Sequence, residues 1–574
     1  MVFRKATLLG LVQLVLLAAA DPSAFFGGAD HEDYIDWVNE VGSSKYTGSS
    51  FLPMDTDNTQ GLAVHWSLDE EYIHLGIAVR ATGWVGFGLS ENGGMEGADM
   101  MIFETATPDK LMDAHVKDER VPVPDKCHNW HLEEAHFGED SGFIIVEFHR
   151  LLDTGDTQDH RIVNDGLLEL PASLIVAAWG DSATHAYHGE QRARGTIRFY
   201  NNEIDGDEAF ANIMKQESIG FFEMKGDNHP IPNVDTEYFD YCYSWDDLLA
   251  QGVPAEKFSV VGFEPILDAI EHLHHFTLFG SYEPMNGEPC SAYADHLDLI
   301  YGWAKGEDPA ALPLDVGLYI GPGTYQSFRL EIHYDNPQLK EGVLDSSGVR
   351  FYYSEKMRPV ELGLLRLGDP IISLEGQPVG DGLTQHIFDC PSTCTETMLK
   401  QEVTVLREYL HMHYAGATMQ NELIRDGEVI HTGTVDYFRF DQQGNQLVKQ
   451  MPYTVKKGDA YRTICNYDDK GRNATFGFSS QEEMCIVFIM YYPKQILFDF
   501  LPWVCAVDVG FASCETTHES KQIEALPRRF GRELDECPED KPVTASTSAT
   551  SGSHSLAGVT TLLASVAVVV TLLL

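Results

Sequence analysis

Apolar and polar positions alternate along much of this chain with a period of two. The runs 72–79, 142–148, 174–179 and 485–492 are rich in β-branched and aromatic residues, as half-buried strands require. Turn-forming clusters such as Glu91-Asn92-Gly93-Gly94 and Asp441-Gln442-Gln443-Gly444 stand between such runs. Helical patterns are short, and the best of them predict helices over 295–306 and 398–408. No repeat recurs at the period of a solenoid. Many strands with turn punctuation predict an all-β chain of sandwiches or barrels. Three blocks are expected, at 45–200, 216–345 and 346–520. An acidic linker, 201–208, separates the first two, and a stalk over 521–555 carries Arg528, Arg529 and Arg532 near its start.

Composition narrows the function classes. The 574 residues are 43% hydrophobic and 22% charged, which excludes wholesale disorder. Charge is the anomaly: 39 Lys and Arg against 88 Asp and Glu give −49. So acidic a surface repels phosphate backbones, and no nucleic acid partner is expected. It attracts amines and metal ions.

Both ends read as processing signals. Arg4 and Lys5 precede an apolar run, 6–17, and Ala18-Ala19-Ala20 offers a cleavage site before Asp21. Residues 1–20 are therefore expected to be a signal peptide. The apolar run falls short of the about 20 residues that span a bilayer, which disfavours a signal anchor. At the far end a Ser/Thr/Ala/Gly-rich stretch leads into an uncharged apolar tail, 556–574. That tail reads as a GPI-attachment signal with its ω residue between Ser546 and Gly552, or as a plain transmembrane helix. Either predicts a chain of the secretory pathway, at the cell surface or a vesicle membrane, anchored through its C-terminus. Ten cysteines in such a chain predict disulfides rather than thiolate metal sites. The sequon Asn473-Ala474-Thr475 predicts glycosylation of Asn473 on an exposed segment.

Three histidine patterns point to metal. His274-His275 are neighbours, and on a flat strand they face opposite ways, so both reach one ion only at a twist or bend. His333 shares a strand face with Arg329 and Glu331, and matters only if the pair lies beside it. His411-Met412-His413 puts two imidazoles on one face of a strand. Solvated or core histidines are the alternative in each case. Met484 is by default a core methionine; beside two imidazoles its thioether becomes a soft ligand that favours Cu(I).

These segments, taken together, resemble the copper type II, ascorbate-dependent monooxygenases. His274-His275-Phe276-Thr277-Leu278-Phe279-Gly280 is similar to the family's His-His motif. Leu330-Glu331-Ile332-His333-Tyr334-Asp335-Asn336-Pro337 is similar to its second motif, continued by Glu341-Gly342 and Asp345-Ser346-Ser347-Gly348-Val349-Arg350. Leu410-His411-Met412-His413-Tyr414-Ala415-Gly416 resembles the His-x-His motif, and Glu482-Glu483-Met484-Cys485 with Tyr491-Tyr492-Pro493 the methionine motif. Upstream, Gly83-Trp84-Val85-Gly86-Phe87-Gly88-Leu89-Ser90, Gly93-Gly94-Met95 and Ala98-Asp99 resemble a DOMON sandwich. The order is that of the dopamine β-hydroxylase-like branch, and the likeness covers about 45–515.

The resemblance implies a DOMON β-sandwich followed by two jelly-roll-like copper domains. It implies two copper ions, one on His274, His275 and His333 that relays electrons from ascorbate, the other on His411, His413 and Met484 where O₂ attacks a substrate C–H bond. It pairs Cys242 with Cys290, Cys390 with Cys505, Cys394 with Cys514, Cys465 with Cys485 and Cys127 with Cys537. Relatives carry a further pair of cysteines where this chain has Ser281 and Ile300. The expected substrate is a small organic molecule, a phenethylamine-like amine being mildly favoured by the acidic surface; Glu331 would bind its ammonium or, alternatively, orient a neighbouring imidazole. Peptide α-hydroxylation is disfavoured by the DOMON block and by the lack of a following lyase domain. A non-catalytic, membrane-anchored copper-binding or adhesion protein is the alternative from another class. A homodimer is possible, through the DOMON block among others. Haem in that block would want Met95, Met100, His185 or His188, none in a haem motif. Cys127-His128 with His131 is too loose for zinc.

Overall fold

The computed structural model describes residues 25–26, 32–54, 59–118, 120–138, 142–162, 173–200, 206–283, 298–305, 307, 309–440, 443, 452–496, 503–507 and 514–538. Among these the chain builds three two-sheet sandwiches. The expected signal peptide, the apolar tail 556–574 and Cys290 lie outside the described residues. Among the described residues no helix is long and apolar enough to cross a membrane.

Alternation explains the first sandwich. Its five-stranded sheet runs Gly48–Pro53, Gly61–Leu68, Tyr72–Val79, Ile144–Leu151, His131–Phe137. Its six-stranded sheet is centred on Ser173–Gly180, Trp84–Ser90 and Ala98–Glu104. Inward side chains such as Trp66, Phe87, Phe103, Phe148 and Trp179 close the core between them. Each such aromatic removes enough apolar surface from water to contribute on the order of 2–3 kcal/mol.

The second sandwich places a four-stranded sheet, Thr236–Ser244, Ser327–Asp335, Leu273–Ser281, Asp298–Ala304, against a larger sheet built on Phe258–Ile266 and Gly348–Ser354. Gly348–Ser354, expected in the third block, thus pairs in the second. The chain crosses over only between Val360–Glu361 and Gly363–Gly368. The third sandwich packs the sheet containing Val403–His411, Ile486–Tyr492 and Gly363–Gly368 against the sheet containing Gly416–Arg425, Ala460–Asp468 and Leu383–Cys390.

Two expected helices are strands. Asp298–Ala304 pairs antiparallel with Leu273–Ser281, and Ile300, Tyr301 and Trp303 are buried in the second core. Val403–His411 pairs with Ile486–Tyr492; its helix lies just upstream, at Ser392–Met398. In both places β-branched and aromatic residues with a sheet partner override a weak helical period.

Disulfides join Cys127 to Cys537, Cys390 to Cys505, Cys394 to Cys514 and Cys465 to Cys485; Cys242 is also disulfide-bonded. The expected stalk is, up to residue 538, a strap lying back on the first sandwich. Arg528 stacks over Tyr437 at 3.8 Å and donates to Asp118 Oδ1 at 2.6 Å. Arg529 and Phe530 donate their backbone N–H groups to Asp436 Oδ2. First and third sandwiches also meet directly, where Glu91 accepts the N–H groups of Asp436 and Tyr437 and Asn92 donates to the Tyr437 carbonyl. Asn473 is exposed, at a left-handed turn with φ 55°.

Gly368 ends its strand with φ 85°, and a Cβ there would stand 2.2 Å from the Cys485 carbonyl oxygen. Gly368→Ala should therefore lower stability by about 1–3 kcal/mol, since φ and space both exclude a side chain. A denaturant midpoint equal to that of the parent chain would show that the strand end relaxes freely.

Candidate copper centres at the seam of two sandwiches

Both histidine groups sit where the second and third sandwiches face each other. His274 and His275 lie at the start of Leu273–Ser281. Opposite, Leu273 pairs with Tyr334 and His275 with His333, so His274 is the extra residue of a β-bulge. A bulge turns one residue out of alternation, which is how two adjacent imidazoles come to face the same way. The Nδ1 atom of His274 lies 2.9 Å from Nδ1 of His275 and 3.2 Å from Nδ1 of His333. The outer nitrogens of His274 and His333 are held elsewhere. His274 Nε2 donates to the Phe440 carbonyl at 3.1 Å, which fixes its tautomer and leaves Nδ1 as a bare lone pair. His333 Nε2 is 2.8 Å from Ser480 Oγ, and Tyr238 stacks on its ring at 4.2 Å.

The other pair is built differently. His411 ends its strand and His413 follows beyond it. His411 Nδ1 lies 2.6 Å from Gln443 Oε1, so Nδ1 carries the proton and Nε2 the lone pair. His413 Nδ1 sits between the carbonyl oxygens of Ser479 and Glu482, at 3.0 and 2.9 Å. Its Nε2 is buried with no hydrogen-bond partner among the described residues. The two rings are 5.1 Å apart. Met484, 8% exposed, packs with Ile372 and Ile486 and lines the same cavity as His411.

Burial keeps four of these rings, those of His275, His333, His411 and His413, uncharged. It pulls His411 down to about 4, and burial together with neighbouring imidazoles holds His275, His333 and His413 far below the usual histidine range. Neutral rings with converging lone pairs, one orphaned buried nitrogen and a thioether are the donor set that soft or borderline transition metals take. The residues fit copper.

One cavity of about 170 Å³ is lined by His275 from the first group and by His411 and Met484 from the second. His275 and His411 approach to 5.7 Å between ring centroids. Phe440 bridges the groups, stacked on His274 at 3.8 Å and edge-on to His413 at 5.4 Å. The walls are mostly apolar, with Phe279, Ile372, Ile486 and Phe488, and the polar residues include Glu331, Thr277 and Arg366. Burial raises Glu331 above the usual carboxylate range, and Arg329 partly offsets this.

Family models agree with this reading. Residues 222–341 match the N-terminal domain of the copper type II ascorbate-dependent monooxygenases, 378–508 match their C-terminal domain, and 58–170 match the DOMON domain. The DBH-like monooxygenase protein 1 of Homo sapiens is 30% identical over 75% of this chain and 71% of its own. This chain belongs to the copper type II ascorbate-dependent monooxygenases. The DBH-like monooxygenase protein 1 of Gallus gallus is 28% identical over 76% of this chain and 72% of its own. Human dopamine beta-hydroxylase is 26% identical over 80% and 75%. Membership brings copper, ascorbate, O₂ and a small-molecule substrate as the family's chemistry.

The monooxygenase motifs omit several residues that this geometry needs. Tyr238, Phe440, Gln443 and Ser480 orient the imidazoles, yet none sits in a ligand motif, and only the fold brings them together. Glu483 is legible as a neighbour of Met484, but its role is not, because the groups it holds lie about 70 residues earlier. It accepts the N–H groups of His413, at 3.0 Å, and Ala415. Elsewhere, Met95, Met100, His185 and His188 line one cleft of about 960 Å³ in the first sandwich, with His185 Nδ1 2.6 Å from Glu104. The His131 ring lies tilted beside that of His149 at 5.3 Å, on the five-stranded sheet.

Glu483→Gln keeps the shape but turns an amide N–H₂ towards one of two backbone donors. It should cost about 1–3 kcal/mol and loosen the His413 turn. Thermal unfolding together with copper affinity measures this; no change in either would make Glu483 a bystander.

Proposed function

We propose that this chain is an active monooxygenase that carries two copper ions and hydroxylates a small amine of the phenethylamine type, using O₂ and ascorbate. One ion would be held by Nδ1 of His274, His275 and His333, the other by Nε2 of His411 and His413 with the Met484 sulfur. The observation that carries this reading is that His275 of one group, His411 and Met484 of the other, and Glu331 all line one mostly apolar cavity. When bound, copper supplies one-electron chemistry and dioxygen activation, and the thioether favours Cu(I) at its site.

The chain's own residues do the rest. Phe279, Ile372, Ile486 and Phe488 exclude water and give an aromatic ring an apolar bed. Glu331 is the anchor for an ammonium group. The other cavity carboxylate, Glu307, is occupied by Arg407 at 3.0 Å and by the Tyr409 hydroxyl at 2.7 Å. Arg329 lies 3.6 Å from Glu331 but is shared with Asp240 at 3.7 Å, and it stacks over Phe279. Two carboxylates thus divide one guanidinium, and a substrate cation restores the balance. On the sequence of its ends, we read the protein as exported and held at a membrane through 556–574.

Glu331→Gln should raise KM for phenethylamines roughly ten- to a hundredfold with little loss of kcat, because a desolvated charge pair is lost. The acid side of the kcat/KM profile should go with it. Glu331 must be ionised to bind an ammonium, so affinity is present above its raised pKa and lost as pH falls through it. Turnover of an N-acylglycine in place of amines would move the anchor to Arg366.

Met484→Leu conserves volume, so a core role predicts a cost under about 1.5 kcal/mol and normal turnover. The proposed ligand role predicts intact folding, a loaded three-histidine site, turnover nearly abolished, and no copper–sulfur contribution in X-ray absorption of the reduced protein. An unchanged spectrum with unchanged turnover would return Met484 to the core.

A further inference from the structure

The five-stranded sheet of the first sandwich carries a row of histidines that the copper chemistry does not use. Three of its strands lie side by side, Tyr72–Val79, Ile144–Leu151 and His131–Phe137, the last at the edge. His74 pairs directly with His149, and His149 with His131. Directly paired residues share a face, so three imidazoles stand in line across the sheet. Their chain neighbours Leu75 and Phe148 are core residues, which places the histidines on the opposite, outward face. None of the three lines the cavity at the seam.

A carboxylate joins them from the edge strand. Leu132 pairs with Phe148 and Glu134 with Glu147, so Glu133 is the extra residue of a β-bulge. The bulge takes Glu133 out of alternation, while Leu132 and Ala135 on either side pack on the core. One oxygen of Glu133 then faces two rings at once: Oε1 is 3.0 Å from His74 Nδ1 and 2.8 Å from His149 Nδ1. Only the first of these contacts has hydrogen-bond geometry. His149 Nδ1 is a buried atom with no hydrogen-bond partner among the described residues. A ring nitrogen and a carboxylate oxygen this close, with no proton in line between them, are better served by a cation that both can ligate.

The surroundings are arranged around that point. Lys45 donates to the other oxygen of Glu133, Oε2, at 2.6 Å and is shared with Glu147 at 2.5 Å, so Oε1 is the oxygen turned to the rings. Asp69 Oδ2 lies 3.6 Å from the far nitrogen of His74, Nε2. A carboxylate behind an imidazole draws the ring's N–H outward and leaves the lone pair on the inner nitrogen. Tyr72 stands edge-on to the His149 ring at 5.8 Å. Asp69, Glu133 and Glu147 set three carboxylates against the one ammonium of Lys45, and a divalent cation offsets the excess.

We propose that His74 Nδ1, His149 Nδ1 and Glu133 Oε1 hold one zinc ion on the outward face of the first sandwich, and that this ion pins the edge strand His131–Phe137 to the two strands beside it. The three ligand atoms lie within 4.8 Å of one another. A tetrahedral zinc at about 2.0–2.1 Å from each donor spaces its donors roughly 3.3 Å apart, close to the contacts already present. Imidazoles and a carboxylate are the donors of zinc sites with three protein ligands, whose fourth position goes to water. His149 is 16% exposed and His74 and Glu133 are 24% exposed, so water reaches that position. Two imidazoles disfavour calcium and magnesium, which take oxygen. Copper is Cu(I) while ascorbate is present, and Cu(I) selects sulfur donors, of which this group has none. Edge strands leave one row of backbone groups unpaired and open readily, and an ion ligated from all three strands opposes that opening.

The test uses the full-length, copper-loaded chain with ascorbate present, freed of zinc with its copper content verified unchanged. Added zinc should bind as one equivalent, raise the thermal midpoint by several degrees and slow amide hydrogen exchange over 131–137 at least tenfold. Zinc-edge X-ray absorption should show only nitrogen and oxygen neighbours, at about 2.0–2.1 Å, with outer scattering from two imidazoles. His149→Gln and Glu133→Gln should each fold, keep their copper, and lose both the zinc equivalent and the zinc-dependent rise in midpoint. If the group is an ion-pair network alone, the parent chain will bind no zinc and both variants will lose stability by the same amount with and without it; that result overturns the proposal. Zinc binding that survives both substitutions overturns it as well. Copper taken up at these residues in place of zinc under the same conditions would overturn the choice of metal.

Discussion

The constraint on which the rest of the centre depends is that five imidazoles are buried at one seam without a carboxylate to charge them. In water an imidazole is indifferent to losing its proton near neutrality. Packed ring against ring, each additional charge meets both desolvation and its neighbours. The rings therefore stay neutral, and a neutral ring has one donor and one acceptor. Once Phe440, Gln443, Ser479 and Glu482 have taken the donors of His274, His411 and His413, the acceptors have nowhere to point but inward. One group converges through Nδ1 and the other through Nε2, because the protein holds opposite edges of the rings.

Acidic charge divides into kinds that a net count merges. Much of it is exposed. Some is buried and spent on backbone. Asp345 accepts from Ser347, Ala269 and Tyr334; Asp369 from Ser373 and Leu374; Asp469 from Asn473 and Ala474; Glu483 from His413 and Ala415. Each carboxylate folds a loop over N–H groups that a sheet would otherwise have satisfied. Asp345 and Glu483 both lie in segments that resemble the family's motifs, yet what they hold is backbone and hydroxyl groups. Among the described residues, only Glu331 faces the cavity with an incomplete share of a cation.

Strands and ligand motifs were legible because both are local. A period of two and a His-x-His spacing need no partner to be seen. What sequence leaves open is set by pairing. Adjacent His274 and His275 look incompatible with one site on a flat strand, and the bulge that resolves this exists only against Tyr334 and His333 of another strand. The same holds for Asp298–Ala304, whose helical period yields to its neighbour in the sheet. The strap is a third case. Its Arg-rich start reads as a solvated stalk until Asp436 and Tyr437, about 90 residues earlier, are seen beneath it.

The spacing of the two ligand groups is a property of the seam and not of either sandwich. His274, His275 and His333 are fixed to one sheet, His411 and His413 to another, and between the groups stands Phe440 from the third sandwich. Away from the histidines the sheets are tied by a second buried network. Lys494 of the third sandwich donates to the hydroxyls of Tyr282 and Tyr325 of the second, and Tyr325 donates to Asp298. Burial opposes the Lys494 charge, whereas Glu361, Tyr282 and Asp298 favour it and hold its pKa above the usual lysine range. A charge stabilised from both sides of a boundary resists separation of the two sides, because parting them would leave it desolvated and unpaired. The cavity volume and the 5.7 Å approach of His275 to His411 follow from that lock as much as from the histidines themselves.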